Sequence, residues 1–117
     1  MRRLPSLNEV RAAQWADRAL RHVRRELAAG RAPVATPEPP SLPPAARRGV
    51  EALLRRRQHT CLEGAIVRQR WLLAHAIYRD VVIGVTSPAD KFAAHAWVDG
   101  EEDVPAAEYL ELTRLTP

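Results

Sequence analysis

Apolar positions between residues 7 and 29 recur at helical spacing: Leu7, Val10, Ala13, Leu20, Val23 and Leu27. Ser6 and Glu9 ahead of them have capping-box spacing, in which the Ser oxygen takes one free N–H and the Glu reaches back to another. Gly30 is placed to end this helix in a left-handed residue. The period stops at residues 32–44, where Pro33, Pro37, Pro39, Pro40, Pro43 and Pro44 fix φ and remove donors. That stretch predicts an extended linker between a basic helical arm (1–31) and a compact core (45–117). A second helix is expected from Pro44 to about Arg57, with Val50, Leu53 and Leu54 inward. A third begins at Cys61. Thr60 and Glu63 repeat the capping-box spacing, and Leu62, Ala65, Ile66, Gln69, Leu72, Leu73 and Ala76 form its apolar stripe.

The pattern then changes. Val81-Val82-Ile83-Gly84-Val85-Thr86 is a short β-branched run, hence a buried strand. Ser87-Pro88-Ala89-Asp90 reads as a loop, Lys91 to Val98 as a second strand, and Asp99-Gly100 as a hairpin turn. A third strand is expected near 101–104, and Tyr109–Thr113 is a candidate fourth. Helices followed by an antiparallel sheet make the fold class α+β.

With 117 residues the chain has room for a single core, and 46% hydrophobic with 27% charged residues is a globular balance. No apolar run approaches the roughly 18 residues that span a bilayer, and the N-terminus lacks a signal-peptide stretch. A cytoplasmic location without membrane attachment is therefore expected. One cysteine excludes an internal disulfide framework and any multi-Cys zinc site. Four scattered histidines make no persuasive metal site, so no cofactor is expected.

The charge is uneven. Residues 1–60 hold thirteen Arg and five acids, a net of +8, against a net of −4 for residues 61–117. A basic half can hold an acidic partner or a phosphate backbone, or be a solvated helix face. Nucleic-acid binding would want aromatics among the arginines, and this half offers only Trp15. The arm helix is expected to dock on its own core, because an isolated helix of this length is marginal in water. A partner or the substrate is its other destination.

Candidate chemistry converges on Cys61 and His95. A thiol is nucleophilic as thiolate, and the N-terminus of a helix stabilises negative sulfur through its free N–H groups and dipole. The same N–H groups can bind the oxyanion of an attacked carbonyl. His95, within Phe92-Ala93-Ala94-His95-Ala96-Trp97-Val98, can take the thiol proton and return it to a leaving amine. Trp97 shares the His95 face and can wall the site from water. Gln58, three residues before the thiol, is a candidate oxyanion donor. His59 can tune Cys61, whereas His22 and His75 read as surface or packing residues.

Thr60-Cys61-Leu62-Glu63, then a helix, then Val82-Ile83-Gly84-Val85, then His95-Ala96-Trp97-Val98 resembles the transglutaminase-like cysteine proteases of lasso-peptide biosynthesis. The resemblance is to the split-type leader peptidases and covers about residues 46–112. It implies a papain-like core with the nucleophile at a helix N-terminus, a base on the adjoining strand and an acid on the next. It implies bacterial, ribosomally made precursor peptides as substrate, a small leader-recognition protein that delivers them, and a separate ATP-dependent cyclase. It departs at the acid. The hairpin reads Asp99-Gly100-Glu101-Glu102-Asp103-Val104, with no acid at the family's usual separation. A two-residue turn sets Glu102 opposite Trp97, and a three-residue turn sets Asp103 there. Asp103 is taken as the third member for its shorter side chain; a solvated hairpin tip is the alternative. A non-catalytic scaffold that binds the precursor or the cyclase is the competing function.

Overall fold

The computed structural model describes residues 4–86, 93–101 and 109–117. Its elements are α1 (Leu7–Ala28), a 3-10 turn (Pro44–Ala46), α2 (Arg47–Arg56), α3 (Cys61–Ala74), β1 (Val81–Thr86), β2 (Ala94–Val98) and β3 (Tyr109–Leu115). The fold is α+β, three helices against a three-stranded antiparallel sheet.

The ends of α1 follow the local chemistry. Ser6 Oγ accepts the Glu9 N–H at 3.1 Å. At the far end Gly30 takes φ +69°, the Gly30 N–H reaches the Leu27 carbonyl and the Arg31 N–H reaches that of Glu26. This is a Schellman closure.

The inward face of α1 keeps Leu20 and Val23 of the expected set, with Ala13 and Leu27 packed against the core, but not Leu7 and Val10. Ala12, Trp15, Ala16, Ala19, Leu20 and Val23 are buried, while Leu7 is 75% exposed and Val10 38%. Small residues win that face because α1 crosses α2 closely. A Cβ on Gly49 would stand 1.9 Å from the Glu9 carbonyl oxygen. Only a residue without a side chain lets the two backbones meet there.

α1 therefore docks on the rest of the chain and does not stand apart as an arm. Trp15, Leu20 and Val23 share one core with Val50, Leu54, Val67, Trp71 and Val81. The proline-rich stretch is extended, as its composition dictates, but it is strapped down. Trp15 Nε1 donates to the Pro37 carbonyl at 3.0 Å. The two ring nitrogens of His75 lie 2.9 Å from the carbonyl oxygens of Trp71 and Leu42. Leu42 itself is buried.

α3 runs through the middle. Its expected stripe is buried at Ala65, Ile66, Gln69 and Leu72, and Val67 and Trp71 are buried as well. A helix covered on several sides needs apolar residues around its circumference. Gln69 is satisfied by donating Nε2 to the carbonyls of Arg79 (3.0 Å) and Leu115 (2.8 Å), which ties α3 to the start of β1 and the end of β3.

The strand order is β2-β1-β3. β1 is central, so its run of β-branched residues is explained by pairing on both edges. β3, the expected fourth strand, pairs with β1 rather than with β2. Its register slips between Ile83 and Gly84, which leaves Leu112 as the extra residue of a bulge. The loop 87–90, the start of the second strand at 91–92, and residues 102–104 of the expected third strand lie outside the described residues.

Candidate active site

Cys61 opens α3. Thr60, the N-cap, accepts the Glu63 N–H on Oγ1 at 3.1 Å and donates its own N–H to Glu63 Oε1 at 2.9 Å. The capping box read from the sequence is complete. It fixes where the helix begins and so places the sulfur at the first helical residue. The N–H groups of Cys61 and Leu62 have no intrahelical acceptor at that position. Cys61 is exposed. Glu63 puts a carboxylate in the same first turn, and Arg24 of α1 answers it with Nε 3.4 Å from Oε1. Arg24 went unnoticed in the sequence, because nothing local joins residues 39 positions apart.

The hydrogen bonds of β2 decide what faces Cys61. The Thr86 N–H donates to the Ala93 carbonyl and the Asp99 N–H to that of Asp80. Odd-numbered residues of β2 thus turn their backbone toward β1, and even-numbered ones turn outward. The outward Ala96 N–H donates to Cys61 Sγ at 3.4 Å. The sulfur is held at the sheet edge, against the residue that follows His95.

Alternation sorts the side chains. Ala96 and Val98 enter the core, and His95 and Trp97 lie on the other face. There His95 pairs across the ladder with Gly84, and Val82, 1% exposed, pairs with Trp97. The His95 and Trp97 rings are stacked, with centroids 5.6 Å apart and planes at 21°. Tyr109 of β3 closes the group, 5.6 Å from each ring. Gly84 makes room for the three. A Cβ there would stand 3.1 Å from Trp97 Cη2 and 3.2 Å from Tyr109 Cβ. Sequence reading missed Tyr109; the β1–β3 pairing that brings it to His95 spans distant residues.

The remaining candidates fall elsewhere. Gln58 is exposed in the segment between α2 and α3. His59 lays its ring over Gly64 in the first turn of α3, with Nδ1 2.9 Å from the Arg57 carbonyl. Asp103 and Glu102 lie outside the described residues. Their neighbours are held by arginines: Asp99 accepts from Arg114 Nη1 at 3.0 Å, and Glu101 pairs with Arg47. Arg47 also meets Glu51, which takes three further bonds from Arg68. A cavity of about 230 Å³ lies among these ions, Ala65 and Trp97.

A model of the transglutaminase-like superfamily matches residues 6–117. The chain belongs to the transglutaminase-like superfamily. The match begins at the N-cap of α1, so the first helix and the proline-rich strap are part of this transglutaminase-like domain, as their burial requires. No curated protein and no solved structure matches the chain. Among the described residues no helix is long and apolar enough to cross a membrane.

Proposed function

We propose that this transglutaminase-like chain is a cysteine peptidase that removes the leader from a ribosomally made precursor peptide, as in lasso-peptide maturation. The observation that carries the reading is Cys61 at the first residue of α3, its sulfur bonded to the Ala96 N–H beside His95.

In this reading His95 takes the thiol proton, and the thiolate attacks the carbonyl carbon of the scissile peptide. The N–H groups opening α3 receive the oxyanion. Collapse breaks the C–N bond, and the imidazolium gives its proton to the leaving amine. The leader stays as a thioester on Cys61. Water, deprotonated by the imidazole, releases it as a carboxylate. Trp97 and Tyr109 flank the imidazole and limit its orientations, and Asp103 is the acid that would orient it. The precursor, a small leader-recognition protein and an ATP-dependent cyclase are the partners this reading brings, in the cytoplasm.

The test is mass spectrometry of any precursor-like peptide encoded beside this chain, incubated with any neighbouring leader-binding protein and with wild type, Cys61→Ala or His95→Ala. One cut made by wild type and absent from both variants supports the peptidase. An uncut, bound precursor with folded wild type leaves the scaffold reading.

A further inference from the structure

Between α1 and α2 runs a groove of about 1170 Å³. Its apolar lining is Val10, Ala13, Ala52 and Leu53. Five arginines of α2 and the residue after it also line it, and they divide into two sets. Arg47 is paired with Glu51 and Glu101, and Arg57 with Asp17. Arg48, Arg55 and Arg56 are exposed and make no ion pair among the described residues. The groove thus offers an apolar strip beside three uncommitted cations.

We infer that this groove binds an acidic peptide segment with interspersed apolar residues, a part of the substrate that stays clear of the cut. The assignment of the segment to the substrate rests on the peptidase reading above. Charge complementarity favours peptide, since carboxylates can meet Arg48, Arg55 and Arg56 while apolar side chains cover Val10 and Ala52. A nucleic acid fits poorly. Among the described residues its lining holds no aromatic on which bases could stack, and Trp15, the aromatic of the basic half, is fully buried. The groove also neighbours the site. Arg47 and Glu51 line both the groove and the small cavity that touches Trp97. A peptide anchored between the helices can pass that ion pair toward His95 and Cys61.

Fluorescence anisotropy on the full chain carrying Cys61→Ala tests the groove with turnover removed. The probes are a labelled peptide with Glu on one helical face and Leu on the other, its Lys/Leu counterpart, and labelled polyuridine RNA. Arg48→Glu/Arg55→Glu/Arg56→Glu is compared with Arg11→Glu/Arg18→Glu/Arg25→Glu, which changes the same charge on α1 outside the groove. Circular dichroism checks that both triples fold. The acidic peptide should bind, weaken about tenfold or more in the groove triple and stay within about twofold in the control. Absence of binding, or equal loss in both triples, overturns the inference. Tighter binding of RNA that the groove triple abolishes also overturns it, in favour of a nucleic-acid site. Binding without any precursor cleavage by wild type would retain the groove and discard the peptidase.

Discussion

At the scale of single residues, the site depends on where α3 starts. Thr60 sets that start through its Oγ1 and N–H, so Thr60→Ala should cost about 1 kcal/mol, read as a lower Tm. Precursor cleavage should fall with it, because a frayed first turn no longer fixes Cys61 against Ala96. Equal cleavage by wild type and variant would show that the cap serves the fold alone. Gly84 is the second sensitive position. A methyl there meets Trp97, Tyr109 and the Leu110 carbonyl, all within 3.2 Å. Gly84→Ala should destabilise by about 1–3 kcal/mol and reduce cleavage by displacing the rings around His95. The place of Cys61 at the head of α3 was legible from the Thr60 and Glu63 spacing. Tyr109 was not, because its approach to His95 is made by β1–β3 pairing across a bulge.

At the scale of elements, α1 is the part the sequence misrepresents. Its period pointed rightly to Leu20 and Val23 but also to Leu7 and Val10, and alanines face the core instead of those two, because a close helix crossing selects small side chains over large ones. The proline run was legible as extended. Its attachment was hidden, since the groups that hold it are the backbone carbonyls of Pro37 and Leu42, which any sequence would supply. Trp15 is wholly buried and donates to Pro37, so Trp15→Ala should lose about 3–5 kcal/mol. Residues 45–117 produced alone should stay unfolded by circular dichroism; a cooperative melt from that fragment would restore the view of residues 1–31 as an arm. Gly49→Ala drives a methyl into the backbone of α1 and should cost about 3 kcal/mol or more. By contrast α2, α3 and β1 were plain from period and caps, because each is specified by neighbours in sequence.

For the whole molecule, ion pairs join helices to sheet. Glu51 is their hub, bonded to Arg68 and Arg47. Burial pushes its carboxyl up, and the two arginines outweigh burial, so its pKa lies below the ordinary 4.5. A depressed carboxylate contributes stability that is present above its unfolded value and lost as pH falls through its folded one. The Tm gap between wild type and Glu51→Gln should therefore be present at neutral pH and close in acid, below about pH 4.5. A gap that persists in acid would show that Glu51 acts by shape.

The central claim is that Cys61 carries the substrate as a thioester. Intact-mass spectrometry of enzyme quenched in acid during turnover tests it directly. The account predicts an adduct on Cys61 equal in mass to the leader less one water, released by hydroxylamine and absent from Cys61→Ala. Precursor cut by Cys61→Ala at the wild-type rate, with no adduct on either protein, would contradict it.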